Sequence, residues 1–248
     1  MGFQNIMKGK RSLGQNFFIN NNLGEYIVEK VKTSNTKSVI EIGPGLGFFT
    51  QRLINVFENV TVIEKDSELA NNLRLQFPNI SVINEDFLNF DLNQIIEIPS
   101  TYFGSLPYNV SKPIVKKIVE SKSFTNPAYF IIQQEVAEKY IYKKPYSTLS
   151  LTTHIYSNCK KILDISPDSF KPKPHVNSTL ISFIPKEINI QNIPLLKDLI
   201  TLSFRHPRKN LLNNLKGTKF QNGSQLYKTY RPSDLSLDQY IEILKYSL

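Results

Sequence analysis

The stretch Val39–Thr50, VIEIGPGLGFFT, decides the fold, because it joins an apolar strand, a glycine-rich turn and the start of a helix. Glycine occupies positions 43, 45 and 47, where side chains would keep a ligand from reaching the backbone. In an open α/β sheet such a turn emerges at the carboxyl ends of the strands, where ligands bind. The spacing is G-x-G-x-G, whereas dinucleotide-binding folds have G-x-G-x-x-G. The turn alone therefore indicates either a ligand site or only a tight strand-to-helix connection.

Strands and helices alternate along the first two thirds of the chain, which predicts a mainly parallel sheet covered on both faces. The last two strands have no helical pattern between them and are expected to form an antiparallel hairpin at one edge. The predicted strands are Ser38–Ile42, Asn59–Glu64, Ile80–Asn84, Thr101–Ser105, Ala128–Gln133, Lys161–Ile165 and Thr179–Ile184. The predicted helices are Asn22–Lys32, Leu46–Phe57, Asp66–Phe77, Pro113–Ser121 and one that starts near Glu135.

Only helical patterns follow Pro185, which indicates a second, smaller domain. Helices are predicted over Ile193–Phe204 and Leu237–Tyr246, with a basic stretch, Arg205–Leu215, between them. We therefore expect residues 1–186 to form the sheet domain, with a basic N-terminal segment. Residues 187–248 are expected to form a small all-helical C-terminal domain.

The formal net charge of +9 is distributed unevenly along the chain. Residues 39–138, which surround the glycine turn, carry seven Lys and Arg against twelve Asp and Glu. The segments before and after them carry an excess of basic residues. This pattern favours a protein whose basic surface binds a polyanion while a less basic pocket binds a different ligand. The alternative is that the basic residues only form a solvated surface.

Cysteine and histidine usage argues against disulfide and metal chemistry. Cys159 is the single cysteine, and the three histidines are scattered without metal-ligand spacing, so no metal site is expected. No apolar run is long enough to cross a bilayer, and the first residues, MGFQNIMKGKRS, lack the apolar core of a signal peptide. These features predict a cytoplasmic protein in a reducing compartment with no membrane partner.

Acidic residues stand at the ends of two predicted strands. Glu64 ends the strand after the glycine turn, about twenty residues on, where an acid can accept hydrogen bonds from both hydroxyls of a ribose. It can equally begin the following helix, since Asp66 and Glu68 come at once. Asp86 and Phe87 follow the next strand; this pair either binds the amine and ring of a purine or begins a loop.

Two further segments contain candidate functional residues. Ser105-Leu106-Pro107-Tyr108 ends the fourth strand and resembles the [Asn/Asp/Ser]-x-Pro-[Tyr/Phe] signature of methyltransferases that act on exocyclic amines of bases. The second segment is FRHPRKNLLNNL, residues 204–215, which places basic side chains at the start of a helix. Acidic side chains are favoured there, and this mismatch indicates that the basic residues contact phosphates.

Several motifs occur in the order found in the KsgA-type ribosomal RNA adenine dimethyltransferases, and the chain resembles that family over nearly its whole length. They are GQNF (14–17), EIGPGLG (41–47), Glu64, Asp86, SLPYN (105–109), QQEVAEK (133–139), FKPKPHVNS (170–178), FRHPRKNLLNNL (204–215) and RPSDLSLDQY (231–240). The resemblance implies a Rossmann-like methyltransferase sheet, a helical C-terminal domain and S-adenosylmethionine as methyl donor. Its substrate would be adenosine N6 in small-subunit (16S) ribosomal RNA, methylated twice.

The resemblance also assigns residues to the cofactor. The positions that fall on cofactor contacts are Asn16, Phe18, Gly43, Glu64, Asp86 and Ser105. The chemistry of the residues agrees: Gly43 and Gly45 admit the methionine part, Glu64 holds the ribose hydroxyls, and Asp86 accepts from the adenine amine. Phe87 is expected to pack against the adenine ring.

The catalytic segment is expected to hold the base that is methylated. The Leu106 carbonyl and the Ser105 side chain would accept hydrogen bonds from the two N6 hydrogens. Pro107 would fix the turn that directs these two acceptors toward N6. Tyr108 offers a face on which the extruded base stacks, and Phe170 would cover its other side. Ser105 departs from the family, which usually has asparagine there, so an altered rate or an altered balance between one and two methyl transfers is expected.

RNA binding is expected to depend mainly on phosphate contacts. The residues predicted to make them are Lys8, Lys10, Arg11, Lys171, Lys173, Arg205, Arg208 and Lys209. The expected partner is small-subunit ribosomal RNA within the pre-30S particle, bound by a monomer. Two alternatives remain: a macrolide-resistance-type methylase of large-subunit (23S) RNA, or a catalytically weak ribosome-assembly or transcription factor, which Ser105 keeps open.

Overall fold

The computed structural model describes residues 16–32, 36–95 and 98–247, which include nine strands. In chain order the strands are β1 (Phe17–Phe18), β2 (Ser38–Ile42), β3 (Asn59–Glu64), β4 (Ser81–Asn84), β5 (Ser100–Ser105), β6 (Ala128–Gln133), β7 (Ser157–Ile165), β8 (Phe170–Lys171) and β9 (Ser178–Pro185). Seven of them form one sheet in the order β4-β3-β2-β5-β6-β9-β7, and β1 pairs with β8 separately. Lys8, Lys10 and Arg11 lie outside the described residues.

The helices of the described residues connect these strands and fill the C-terminal part. They are α1 (Asn21–Val31), α2 (Thr50–Leu53), α3 (Ser67–Gln76), α4 (Ser111–Val119), α5 (Gln134–Tyr140), α6 (Thr148–His154), α7 (Ile193–Ser203), α8 (Leu211–Leu215), α9 (Gln221–Ser224) and α10 (Leu237–Lys245). Short 3-10 helices span Leu92–Ile95, Pro167–Ser169, Gln225–Tyr227 and Pro232–Asp234. Within the described part of the chain, no helix is both long and apolar enough to span a membrane.

The sheet reverses its winding direction between β2 and β5. β3 and β4 lie parallel on one side of β2, whereas β5 and β6 continue parallel on the other side. In such a sheet the ligand crevice opens at the carboxyl ends of the two strands where the order reverses. β9 runs antiparallel to β6, and β7 lies at the edge beside it. The predicted mainly parallel sheet with an antiparallel edge is confirmed.

The central strands form because their residues are apolar and β-branched on both faces, as a sheet covered on both sides requires. Every residue of β2 is buried, and Val39, Val62, Phe103 and Ile131 belong to one apolar core beside the sheet. Burial of each such side chain contributes roughly 1.5–3 kcal/mol relative to its exposure to water. The core therefore fixes the strand ends from which the candidate site residues project.

The chain divides into two compact units. The first comprises Lys160–Pro185 and the described part of Met1–Ala137; the second comprises Glu138–Cys159 and Lys186–Leu248. The predicted division at residue 186 therefore differs from the structure over residues 138–159. Leu151 and Ile155, from α6 and its end, belong to the same apolar core as Leu196 of α7 and Tyr240 of α10, which places this segment in the helical unit.

The helix after the glycine turn is shorter than predicted. Its expected range was Leu46–Phe57, but the structure has a four-residue helix, Thr50–Leu53. The reason is local, because Gly47 has φ of 81° and helical geometry cannot pass through it. Turns therefore occupy the first part of the predicted range.

Candidate functional site

The glycine turn after β2 adopts a backbone that only glycine accommodates easily. Gly43, Gly45 and Gly47 have φ values of 66°, 59° and 81°. A Cβ atom at Gly43 would have no neighbour within 4 Å, so conformation, not crowding by the protein, requires glycine there. The Gly43 N–H donates to the Ile63 carbonyl at 3.0 Å, which fixes the turn against β3.

Glu64 holds the glycine turn from the carboxyl end of β3. Its Oε2 accepts from the Gly45 N–H at 3.1 Å and its Oε1 from the Asp66 N–H at 2.9 Å. The carboxylate is only 6% exposed, and burial raises its pKa although these hydrogen bonds oppose the change. Each oxygen keeps a second lone pair, so the carboxylate can still accept from two ligand hydroxyls.

The helix-start role considered for Glu64 belongs to Asp66. Asp66 is the N-cap of α3, and its Oδ1 accepts from the N–H groups of Glu68 at 2.9 Å and Leu69 at 3.4 Å. Glu64, which lies two residues earlier, lines the cavity described below. The helix-start interpretation therefore applies to Asp66, and the ribose-binding role of Glu64 stays a prediction.

Glu41, within β2, is a site residue that the sequence analysis missed. Its carboxyl is 2% exposed, lines the cavity, and accepts from Thr50 Oγ1 at 2.6 Å. Burial raises its pKa from 4.5 to about 8. In the sequence, Glu41 could have been recognised because it is an acid inside an otherwise apolar strand, VIEIG.

Replacing Glu41 by glutamine is expected to change how stability depends on pH. Between about pH 4.5 and about pH 8 the folded protein keeps a proton that the unfolded chain releases, so wild-type stability falls as the pH rises. The slope approaches about 1.4 kcal/mol per pH unit. Glu41→Gln lacks this proton, so its stability relative to wild type should increase across the window. Urea unfolding of both proteins at several pH values measures it; a constant difference would contradict it.

Asp86 and Phe87 lie together just beyond the carboxyl end of β4. Asp86 Oδ1 accepts from the Leu88 N–H at 3.0 Å, and its Oδ2 accepts from Lys65 Nζ at 2.8 Å. The Lys65 hydrogen bond is the main reason that the pKa of Asp86 is lowered, so this side chain is a carboxylate near neutral pH. Phe87 is buried and also lines the cavity. Lys65 was not predicted as a site residue.

The segment Ser105–Tyr108 begins with the last residue of β5. The Leu106 N–H donates to the Ile131 carbonyl of β6 at 3.0 Å, which fixes the backbone of the turn. The Ser105 side chain is half-buried, and among the described residues it has no hydrogen-bond partner. The Tyr108 hydroxyl lies 2.7 Å from Ser178 Oγ at the start of β9. Ser178, fully buried, belongs to the FKPKPHVNS motif, but that motif did not reveal its partner.

An aromatic wall closes one side of the site. Phe18 of β1 and Phe170 of β8 are paired in register, and their rings meet edge to face at 5.1 Å. Phe18 also packs against Phe48 and Phe49 of the glycine turn, with ring centroids 5.1 Å and 4.9 Å away. Phe18, the residue directly after the first motif, thus contacts both the glycine turn and the last motif of the sheet unit through aromatic rings.

One cavity of about 220 Å³ brings these groups together. The predicted site residues that line it are Asn16, Phe18, Gly43, Gly45, Glu64, Asp86, Phe87, Ser105, Leu106, Pro107, Tyr108 and Phe170. Their individual roles stay predictions. Of the predicted RNA contacts in the sheet unit, Lys171 and Lys173 are exposed, and Lys173 pairs with Asp168.

In the helical unit, the predicted RNA contacts lie on an ordered turn. Arg205, Arg208 and Lys209 are exposed between α7 and α8. The buried Asn214 holds this turn, since its Oδ1 accepts from the His206 N–H at 2.9 Å and its Nδ2 donates to the His206 carbonyl at 3.1 Å. The cations therefore project from a fixed backbone.

The sequence profile of a family described as ribosomal RNA adenine dimethylase matches residues 6–246. The chain belongs to this dimethylase family. Among curated members, "Ribosomal RNA small subunit methyltransferase A" of Malacoplasma penetrans (strain HF-2) is 31% identical, over 97% of this chain and 92% of the relative. The protein of the same name from Francisella tularensis subsp. novicida (strain U112) is 35% identical, over 84% of each chain.

Solved structures similar to this dimethylase agree on the fold. A dimethyladenosine transferase from Plasmodium falciparum matches 92% of this chain and 96% of its own, with a TM-score of 0.80 at 20% identity. The 23S rRNA methyltransferase ErmE matches 93% of this chain and 99% of its own, with a TM-score of 0.74 at 23% identity. The expected Rossmann-like methyltransferase fold is thereby confirmed.

The cofactor of this dimethylase is S-adenosylmethionine, and the cavity has suitable chemistry for it. Glu64 offers carboxylate lone pairs for ribose hydroxyls, and Asp86 offers an ionised acceptor for the adenine amine. The positive-φ glycines expose backbone where the methionine part would lie. No pyrophosphate-type cradle of Gly and Lys is present in the sequence, which agrees with a cofactor that lacks phosphates.

Proposed function

We propose that this protein dimethylates N6 of adenosines in small-subunit (16S) ribosomal RNA, with S-adenosylmethionine as methyl donor. The observation that carries this function is the position of Ser105–Tyr108. The segment follows β5 and lines the same cavity as the glycine turn after β2, on the two strands where the sheet order reverses. The segment proposed to hold the target amine and the turn proposed to admit the methionine part of the cofactor therefore face one space.

The first role of the segment is to prepare the target amine. The lone pair of adenine N6 is delocalised into the ring, so N6 is a poor nucleophile. The Leu106 carbonyl and Ser105 Oγ accept hydrogen bonds from the N6 hydrogens, which holds the amine out of the ring plane. They also stabilise the positive charge that develops on nitrogen. Bound S-adenosylmethionine supplies an electrophilic methyl group on a sulfonium sulfur.

The second role of the segment is to hold the base itself. The adenosine has to leave its stack to reach the cavity, and Tyr108 presents a ring on which it can stack. The hydrogen bond between the Tyr108 and Ser178 hydroxyls holds that ring, and the edge-to-face contact with Phe18 holds the ring of Phe170, which is proposed to cover the other side of the base. A base held between fixed rings meets the methyl donor in one orientation, which lowers the entropic part of the barrier.

Ser105 determines how many hydrogen-bond acceptors contact the N6 amine of the target adenine. Its hydroxyl is shorter than the asparagine amide that is usual in the family, so the base has to lie closer to it or bind through water. After the first transfer the amine keeps one hydrogen, and a single acceptor, the Leu106 carbonyl, can still hold it. We therefore propose a working enzyme with an altered rate or an altered ratio of one to two methyl groups.

The phosphate contacts are proposed to lie on both units. They are Lys171 and Lys173 in the sheet unit, Arg205, Arg208 and Lys209 in the helical unit, and Lys8, Lys10 and Arg11 near the start of the chain. We also propose that the substrate is the RNA within the pre-30S particle in the cytoplasm. We propose that the protein acts as a monomer, which light scattering can test.

Affinity for RNA is expected to fall steeply with salt. Each phosphate contact contributes roughly 0.7–0.9 to the slope of log K against log salt concentration, so several contacts give a slope of several units. Arg208→Gln should lower the magnitude of this slope by about one. It should also weaken the affinity for all RNA sequences equally. Fluorescence anisotropy with a labelled RNA fragment at several salt concentrations measures this. An isotherm that does not change with salt would refute the phosphate assignment.

Mass spectrometry of ribosomal RNA tests the proposed activity. Unmodified small subunits, incubated with the protein and S-adenosylmethionine, should yield N6-methylated and N6,N6-dimethylated adenosine in small-subunit RNA. Large subunits serve as the matched control. Methylation of large-subunit RNA instead would favour the macrolide-resistance type. Cofactor binding without methylation of either RNA would contradict the enzymatic proposal and favour an assembly factor.

A further inference from the structure

Lys117, on α4, uses its ammonium group to bind a loop that contributes to the cavity. Lys117 Nζ donates to the carbonyl oxygens of Phe87 at 2.9 Å, Leu88 at 2.8 Å and Phe90 at 2.5 Å. An ammonium group has three N–H donors, so these bonds use its full capacity. The side chain thus fixes the backbone of residues 87–90 from outside that loop.

The bound loop carries the two groups assigned to the adenine of the cofactor. Asp86 and Phe87 line the cavity, and the Asn89 and Phe90 N–H groups donate to the Asp86 carbonyl at 2.8 Å and 3.0 Å. Lys117 Nζ also lies 5.5 Å from the centroid of the Phe87 ring. Any shift of these backbone carbonyls would therefore move the Asp86 carboxylate and the Phe87 ring.

The charge of Lys117 suits this position. Burial lowers its pKa, and the nearby carboxylates of Glu85, Asp86 and Asp91 oppose that shift. Hydrogen bonds from a charged donor are about twice as strong as neutral ones. A cation that is partly removed from water and bound to three carbonyls is costly to displace.

The helix that carries Lys117 begins directly after the catalytic segment. Ser111 Oγ, in the first turn of α4, donates to the Tyr108 carbonyl at 3.0 Å. Ile114 and Ile118 of the same helix are buried. The same helix therefore contacts the segment that binds the target base at one end and the loop at the adenine end of the cofactor at the other.

We propose that Lys117 is a positioning residue that sets Asp86 and Phe87 for recognition of the adenine ring of the cofactor. The inference rests on the proposed role of Asp86 as acceptor of the adenine amine. Lys117 is not among the residues that line the cavity, and it acts through the three carbonyl groups that it binds.

The test compares two ligands that differ only at C6 of the base, where Asp86 is proposed to accept a hydrogen bond from the amine. S-adenosylhomocysteine carries the C6 amine, whereas the analogue with unsubstituted purine in place of adenine carries only hydrogen at that carbon and offers the carboxylate no N–H donor there. Calorimetry measures Kd for both with the wild type, Lys117→Met and Lys116→Met. Lys116 is the exposed neighbour on α4 and serves as the matched control. RNA is absent, so the result does not depend on the RNA substrate.

We expect the wild type and Lys116→Met to prefer the adenosyl ligand by about tenfold or more, and Lys117→Met to bind it about tenfold more weakly. The preference of Lys117→Met should fall to within about threefold. A merely structural role would weaken both ligands equally, so an unchanged preference overturns the inference.

Three further outcomes are decisive. If Lys117→Met does not fold, Lys117→Gln keeps two of the three N–H donors, and its preference has to fall for the inference to stand. If the wild type binds the adenosyl ligand without preferring it, the assignment of Asp86 fails, and the inference fails with it. If the wild type binds neither ligand, the proposed methyltransferase function itself is wrong.

Discussion

Replacing Glu64 by glutamine should weaken binding of S-adenosylmethionine about 100-fold or more. Hydrogen bonds to a charged group contribute about 1.5–3 kcal/mol each, and the carboxylate is assigned two ribose hydroxyls. Every 1.4 kcal/mol corresponds to about tenfold in affinity. The substitution also affects the protein itself, because one carboxylate oxygen accepts from Gly45 N–H and the other from Asp66 N–H. An amide has one acceptor oxygen, so its NH₂ group would have to face one of these donors.

Calorimetric titration with S-adenosylmethionine measures the loss, and Glu58→Gln provides the matched control. Glu58 lies just before β3, is 65% exposed at its side chain, and pairs with Lys37 on the surface at 2.8 Å. Loss of a surface pair costs little, so this variant should bind the cofactor like the wild type. Wild-type affinity in Glu64→Gln would show that the ribose is held elsewhere.

Local sequence patterns predicted the parts of the structure that depend on neighbouring residues. β2, β3 and β6 have the predicted bounds, because apolar runs of this length between polar turns specify buried strands. The three glycines of the turn were explained by ligand access to the backbone, whereas the structure adds that all three have positive φ. Glu64 could be assigned because a strand end fixes where a side chain is placed, whatever the rest of the chain does.

Contacts between distant residues could not be predicted in this way. Ser178 is 70 residues from Tyr108, and Lys117 is 30 residues from Phe87. Nothing in hydrophobic periodicity reports such pairs, because it records only which face of an element is buried. The same reason explains residues 138–159, whose own pattern does not show which of two apolar cores they join. The sequence therefore predicted the fold and the groups at the strand ends, and the structure adds the residues that hold them.

Replacing Tyr108 by alanine should lower kcat/KM for RNA methylation by about 100-fold. Stacking of a base on an aromatic side chain contributes about 1–3 kcal/mol, and the proposed mechanism has the extruded adenine on this ring. The substitution also leaves Ser178 Oγ, which is buried, without the hydroxyl that lies 2.7 Å from it. Affinity for S-adenosylmethionine should change by less than about threefold, since the ring is assigned to the target base. Single-turnover methylation of small subunits, together with calorimetry, measures both quantities.

Tyr108→Phe and Ser178→Ala separate the ring from its hydrogen bond. Both remove the same contact, so each should lower kcat/KM by less than about tenfold, and the double variant should be little worse than either alone. If stacking is the main contribution, Tyr108→Phe therefore keeps most of the activity that Tyr108→Ala loses. Equal losses in the two Tyr108 variants would mean that the hydroxyl, not the ring, acts on the substrate. The base would then have to be held by Phe170 and the Leu106 carbonyl, and Ser178 would be the partner that keeps the hydroxyl aimed into the cavity.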